Sequence, residues 1–595
     1  MSHTAALHVA HADKKISFGT FTNVTTWLTE EKYKEFRTEI EKLIMAEDWK
    51  TLEDNFFTVV PFGTGGRRGR VGIGSNRINR VTIGESAQGL CNYVLANIPD
   101  AKQRGIAVAY DTRLTSVEFS RYVAGVIAAN GIPVFLFEGP RPTPELSFTV
   151  RHLRTAAGVV VSASHNPPTD NGFKVYWNDG GQIVPPHDLG IMEAVAKVKE
   201  ILHEDFDQAL ANQRIQYVGK QVDEAYFQAV FSESLVTTRS ARIAYSPLHG
   251  TGVASAYPIL ERAGFSVDLV AEQASPDGNF PNVPGNIPNP EVPSASDLVT
   301  NRAKQINADL AITTDPDADR LGVVARDAEG AYHFLNGNQI AFALGAFVLE
   351  QYQAQQKLKP EHFLVKTIVT TDGLSALAEK YKVQIEENIL IGFKYVAELI
   401  RLHENDRIFL FGGEESHGIL KGNYTRDKDA AVAALLFAEL ASTCKDAGTT
   451  VVDYLDALYK KYGVFTEVLQ NIMYEGAAGN EKMASIMQAL RTNPPKTIGT
   501  LPILRVTDRL SGAVTDPSTG KSLGTNPGTK GDVLIYSLRE DNRVRVTVRP
   551  SGTEPKLKIY VQVHEAVAKG ELDAAKATAE QLAQTLLTET AKLCQ

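Results

Sequence analysis

The stretch AGVVVSASHNPPTDNGFKVYW, residues 157–177, runs an apolar segment into Ser164 and then into His165, Asn166 and Pro167. A serine delivered to the end of a buried strand can turn its hydroxyl towards a cleft and act as a nucleophile or a phosphate carrier. A Ser-His-Asp hydrolase needs a G-x-S-x-G elbow, and SASHN is not one. Adjacent side chains on extended backbone diverge, so the spacing predicts no direct Ser164–His165 pair. The alternative is a structural turn made by Asn166, Pro167, Asn171 and Gly172.

TTDPDADRLG, residues 313–322, sets Asp315, Asp317 and Asp319 at alternate positions, which on an extended backbone puts all three carboxylates on one side. Carboxylates this close raise one another's pKa unless a cation sits among them. Oxygen ligands alone point to Mg²⁺ or a similarly hard ion. An EF-hand does not fit, because Arg320 and Arg326 stand where its loop requires Gly and Glu. The other reading is a solvated acidic turn.

FGGEESHG, residues 411–418, offers Glu414 and Ser416 as alternating acceptor and donor groups suited to adjacent sugar hydroxyls. RPSGTEPK, residues 549–556, brings together Arg549, the hydroxyls of Ser551 and Thr553 and the Gly552 amide, a compact anion cradle or else an ordinary hairpin loop. PFGTGGRRG, residues 61–69, adds Arg67 and Arg68 on a glycine-rich segment.

These stretches need strands to present them. Apolar runs at 106–110, 132–137 and 157–161 alternate with helical patterns such as 116–130, the signature of a doubly wound sheet. The pattern recurs at 241–250, 267–272 and 308–315, and again at 363–369, 383–388 and 407–413. In open α/β sheets ligands bind beyond the carboxyl ends of the strands, where these loops fall. After Pro494 and Pro495 the texture changes: residues 543–563 read as two strands around one loop, followed by a helix at 571–592. The expected fold is three similar doubly wound α/β domains plus a smaller C-terminal α+β domain. Residues 21–57 are a polar helical region, with Trp27, Tyr33, Phe36, Ile40 and Leu43 at helical spacing, packed outside the next domain.

At 595 residues the chain exceeds one hydrophobic core. A net charge of −9 argues against a general nucleic-acid or anionic-membrane binder. Three cysteines without CxxC or Cys/His pairing suit a reducing cytoplasm, and no apolar stretch reaches spanning length. The expectation is a cytoplasmic protein with no membrane or nucleic-acid partner.

SASHNP, DPDADR, GEES and RPSGTEP, in this order, resemble the α-D-phosphohexomutase superfamily of phosphoglucomutases and phosphomannomutases. AYDTR (109–113), RPTPELSF (141–148), SPLHGTG (246–252), GFKYV (392–396) and RDKD (426–429) match its patterns too, and FGTGGRRGRVGIGSNRIN is similar to its longer, phosphopentomutase-like branch. The resemblance implies four domains around a central cleft: 58–222, 223–332, 333–462 and 463–595, after a helical extension at 1–57. By that resemblance Ser164 carries a phosphoryl group and, with Asp315, Asp317 and Asp319, binds Mg²⁺. Arg68 and Arg320 match arginines near the transferred phosphate, Lys174 a lysine in the same region, and His165 belongs to the serine loop. Glu414 and Ser416 match sugar-hydroxyl contacts; Arg549, Ser551, Gly552 and Thr553 match the loop that grips the other phosphate.

The implied activity interconverts hexose 1-phosphate and 6-phosphate, glucose foremost, through a sugar bisphosphate, in a monomer or dimer; mannose, pentose and aminosugar phosphates stay open. The sequence departs from the pattern at Arg67, an extra charge, and at His417, one place early for an acid/base role, which leaves Lys174, Lys428 or His417 as proton carrier. Two rival readings are a haloacid-dehalogenase-type phosphatase with Asp315 as nucleophile, and a silent phosphosugar binder.

Overall fold

The computed structural model describes residues 3–63, 66–474, 476–551, 556–568 and 570–595. Helices His3–Ala12, Phe18–Thr29, Arg37–Met45 and Trp49–Phe56 form an N-terminal cap. Ser17 caps the second of these by accepting from the Thr20 amide at 3.2 Å. Leu7, Val24, Trp27, Ile40, Leu52 and Phe56 bury one face of the cap, and Trp27 stacks on Tyr33 with ring centroids 4.3 Å apart. Val81 and Ile201 carry this core into the first α/β domain.

That domain is built on a seven-stranded mixed sheet in the order Phe62–Gly63, Gly66–Arg70, Asp170–Trp177, Ala157–Val161, Ile106–Tyr110, Val134–Phe137, Ile215–Val218. Ala157–Val161 pairs parallel with Ile106–Tyr110 but antiparallel with Asp170–Trp177, so the Ser164 stretch joins two antiparallel neighbours. The next sheet runs Tyr332–Leu335, Leu321–Arg326, Leu310–Thr314, Arg242–Ser246, Ser266–Leu269, and Thr314 pairs with Leu321 across the aspartate loop. In the third, Gln384–Ile389, His362–Thr367, Ile408–Gly413 and Ile419–Lys421 lie in order, and Gly413 pairs with Ile419 across the Glu414 loop. The last domain is a seven-stranded antiparallel sheet covered by helices Gly476–Thr492 and Leu572–Leu593. Its strands Val544–Pro550 and Lys556–Glu565 flank the RPSGTEP stretch.

The reactive stretches of the first three domains are therefore hairpin connections between antiparallel strands, rather than strand-to-helix crossovers. A hairpin returns beside its own strand, so residues before and after the turn face one cleft. The run 267–272 is strand only over Ser266–Leu269; Ala271–Ala274 is helical.

A candidate active site at the four-domain junction

A cleft of about 250 Å³ lies where the domains meet. The first domain contributes Arg68, Ser164, His165 and Lys174; the second Glu291, Asp319 and Arg320; the third Glu414, Ser416 and Lys428; the fourth Arg549, Ser551 and Lys558. Every described residue expected at the site lines it except Asp315 and Asp317, which are fully buried just behind, and His417, a candidate proton carrier that lines a neighbouring cavity. Gly552 and Thr553 lie outside the described residues. A larger groove, about 1150 Å³, lies between the N-terminal cap and Arg70–Arg77 and holds none of the expected residues.

Ser164 has φ +52°, so the local backbone is left-handed rather than extended. That overturns the expected divergence: Ser164 Oγ and His165 Nδ1 are 3.2 Å apart. Oγ donates to Asp315 Oδ2 at 2.7 Å, and the Ser164 amide donates to Ser162 Oγ at 2.8 Å. Loss of hydration, with Arg320 and Arg68 nearby, holds His165 well below the ordinary imidazole range.

The three aspartates converge, but not on an extended backbone. The Ala318 amide donates to Asp315 O at 2.9 Å and Ala318 has φ +48°, closing a tight turn. Asp315 Oδ1 accepts the Asp319 and Arg320 amides at 3.0 and 3.1 Å. One oxygen from each carboxylate lies within 4.8 Å of the others. The loop rests on Gly250 of SPLHGTG: a Cβ there would stand 2.4 Å from Pro316 Cα, so only glycine allows this approach.

Charge in this cluster is unevenly shared. Burial, then Asp319 and Asp317, drives Asp315 well above the usual carboxylate range. Asp317 is held far below it despite its burial, because Lys174 Nζ lies 2.5 Å away and Thr143 Oγ1 donates at 2.7 Å. Burial and Asp317 raise Asp319, against which Lys428 Nζ stands at 2.9 Å. The Oδ1 atoms of Asp317 and Asp319 are buried and accept no hydrogen bond. Orphaned anionic oxygens in an all-oxygen cluster are what a hard divalent cation requires, so the residues fit one.

Arg320 is ion-paired with Glu291. Glu291 belongs to a proline-flanked loop without periodicity, and nothing in the sequence marked it; Thr143 and Lys556 lie inside the RPTPELSF and RPSGTEPK stretches without having been singled out there, and Lys558 follows on the strand Lys556–Glu565. Arg67 adds little charge to the cleft: it is 7% exposed, donates to Thr82 O at 2.9 Å and faces Glu85 at 3.4 Å. His417 turns away, its Nδ1 2.9 Å from Leu321 O, and lines a neighbouring cavity. Burial pushes Glu414 up to about 7, Lys428 opposing and Glu415 adding to the shift.

Known proteins share this architecture. The phosphoglucomutase/phosphomannomutase α/β/α domains I, II and III match residues 60–202, 224–330 and 336–462, and the C-terminal domain matches 528–579. A phosphoglucomutase of Staphylococcus epidermidis is 35% identical over 517 residues, 86% of this chain and 92% of the relative. One from Staphylococcus aureus is 35% identical over 518 residues, covering 86% and 90%. Among solved structures, parafusin (phosphoglucomutase) from Paramecium in its open form superposes with a TM-score of 0.64 at 19% identity, over 89% of this chain and 95% of that one. A phosphoglucomutase/phosphomannomutase family protein from Burkholderia thailandensis gives 0.62 at 18%, over 88% and 97%. With all four domains matched in order, the chain belongs to the phosphoglucomutase/phosphomannomutase family and is a phosphohexose mutase, an intramolecular phosphotransferase.

Proposed function

We propose that this protein interconverts glucose 1-phosphate and glucose 6-phosphate through a phosphoserine on Ser164 and a glucose bisphosphate intermediate. The observation that carries the reading is Ser164 Oγ, hydrogen-bonded to the aspartate cluster at the wall of a cleft that four domains line. Phosphoserine carries roughly −1.5 to −2 charges at neutral pH, so it demands cations around it. Arg68 and Arg320 would supply them, and Lys174 and His165 would orient the ester. Asp315, Asp317 and Asp319, with an oxygen of phosphorylated Ser164, would hold Mg²⁺. The ion would supply charge neutralisation at the transferring phosphate.

Glu414 and Ser416 would position the sugar hydroxyls, and Arg549, Ser551, Gly552 and Thr553, joined by Lys556 and Lys558, would grip the phosphate that stays. A site reading only that phosphate accepts the sugar in either orientation, as the two half-reactions require. When Ser164 takes back a phosphoryl group, the departing sugar oxygen needs a proton. Lys428 is our choice to give it: burial favours the neutral amine, but Asp319, Asp427 and Glu414 outweigh that and hold it charged. His417, facing Leu321, is not so placed. The phosphatase reading loses its basis, because Asp315 is fully buried behind Ser164 and outside the cleft lining.

Among the described residues no helix is long and apolar enough to cross a membrane. We place the protein in the cytoplasm, where its three buried free thiols would stay reduced. Peptide mapping of the purified protein should find one phosphate on Ser164, and a coupled assay should convert glucose 1-phosphate fastest among hexose, pentose and aminosugar phosphates. An unphosphorylated serine together with no interconversion would sink the proposal; faster turnover of another sugar would reassign the substrate.

A further inference from the structure

Arg113, at the end of AYDTR, follows the strand Ile106–Tyr110 and is 2% exposed. Its Nη2 donates to Ser164 O at 2.6 Å and Asn166 O at 2.5 Å, and its Nη1 to Pro167 O at 2.7 Å and Asp170 O at 2.8 Å. Four hydrogen bonds from one guanidinium thus end on the backbone of the hairpin that carries Ser164. Behind it, Nε lies 3.2 Å from Asp111 Oδ2, while Asp111 Oδ1 accepts from the Arg113 amide at 3.0 Å and Ser116 Oγ at 2.6 Å. From the second domain, the ring of Phe280 lies against the guanidinium, its centroid 5.4 Å from Cζ, and is fully buried.

Inward-facing carbonyls in a tight turn need donors, and a left-handed serine persists only where its surroundings over-determine it. The planar arginine fork supplies four donors in a fixed geometry that a lysine ammonium cannot copy. We propose that Arg113 is a positioning residue for phosphoryl transfer: it holds the 164–170 backbone in the turn that aims Ser164 at Asp315, and Phe280 makes this hold depend on the docked second domain. The inference rests on the reading of Ser164 as the phosphoryl carrier. Arg113 does not line the cleft, so its loss acts through the serine rather than through sugar binding.

The test uses the full-length protein with Mg²⁺, comparing wild type, Arg113→Lys and Phe280→Leu. Misplacing a nucleophile by an ångström costs ~100-fold, so Arg113→Lys should lose about that in kcat. Its KM for glucose 1-phosphate should stay within roughly threefold, the split expected when ground-state binding is untouched. Transfer of phosphate from isolated phosphoenzyme to glucose 6-phosphate should slow by the same factor. Arg113→Gly should regain part of that rate, saturably, with added methylguanidinium. If Arg113→Lys does not fold, Phe280→Leu decides, with an expected kcat loss of roughly fivefold at unchanged KM. Wild-type transfer rates in Arg113→Lys, or in Phe280→Leu if that variant decides, or a loss confined to KM, would overturn the inference. A wild-type protein without phosphoserine would instead defeat the functional reading beneath it.

Discussion

Asp372 of the third domain accepts both arms of the Arg545 guanidinium of the fourth, at 2.7 and 2.8 Å. Lys366 Nζ adds a third bond to the same carboxylate at 2.8 Å. Gln562 accepts from Arg545 Nε at 3.0 Å and donates to Thr370 O at 3.1 Å. Burial opposes the charge on Asp372, but Lys366 and Arg545 prevail and hold its carboxyl well below the usual range. Arg545 and Arg549 share the strand Val544–Pro550 four residues apart, so they point to the same face. The latch at Arg545 therefore sets where Arg549 stands in the cleft.

Asp372→Asn leaves two buried cations facing an uncharged amide. Breaking a buried pair from one side costs about 3–5 kcal/mol, and here that cost falls on the contact between the two domains. We expect KM for glucose 1-phosphate to rise at least roughly tenfold while kcat falls less, the pattern of lost ground-state binding. Small-angle scattering should show a larger radius of gyration. Unchanged KM and scattering would mean that other contacts, such as Arg509 Nη1 with Asn388 Oδ1 at 2.5 Å, carry the docking.

Glu467, on the strand Val464–Met473, is pushed up to about 7 by burial and by Asp372, against a hydrogen bond from Thr371. A carboxyl raised on folding stabilises fully below its unfolded value, near 4.5, and loses that contribution as pH climbs through about 7. Melting temperature should therefore decline between pH 5 and pH 8 more steeply in wild type than in Glu467→Gln. Parallel profiles for the two proteins would rule out Glu467 as the titrating group.

Elements with local periodicity could be read from the chain. The strands Ile106–Tyr110 and Ala157–Val161 fall where the apolar runs place them, and the aspartate spacing marked the cluster. What could not be read depends on residues far apart in sequence. Thr143 reaches Asp317, Arg113 reaches Ser164, and Glu291 reaches Arg320 only after hairpins and domains have packed. The aspartate carboxylates do converge, but through a turn around Ala318, because alternation is only one backbone geometry that brings such side chains together. His165 approaches Ser164 for a similar reason: a single left-handed φ redirects the side chain, and nothing in the residue types announces it.

The orphaned Oδ1 atoms of Asp317 and Asp319 predict metal dependence that is also visible in stability. Chelation should abolish turnover, and added Mg²⁺ should restore it. A ligand bound only by the folded state at 100 times its Kd stabilises by about 2.7 kcal/mol, so millimolar Mg²⁺ should raise the melting temperature of wild type. Asp319→Ala should lose that rise and roughly 1000-fold or more in kcat, a loss typical of removing a group central to transition-state charge stabilisation. A melting temperature insensitive to Mg²⁺ in wild type would show that the cluster binds no ion of consequence.

Arg320 is oriented by Glu291. Burial works against charge on both, yet each keeps the other ionised: Glu291 is lowered and Arg320 raised. Arg320 Nε is buried without a hydrogen bond and stands 3.7 Å from Asp319 Oδ1. Without the Glu291 charge, the guanidinium would be drawn towards the aspartates and away from the phosphate proposed on Ser164. Glu291→Gln should lower kcat by ~10–100-fold, the scale of a lost electrostatic contact in phosphoryl transfer. Arg320→Lys should lower it at least as far, since lysine lacks the planar fork. Residues acting as one unit are non-additive, so the double variant should be little worse than Arg320→Lys alone. Additive losses in this cycle would mean that Glu291 touches the substrate on its own account, and that its pairing with Arg320 is incidental.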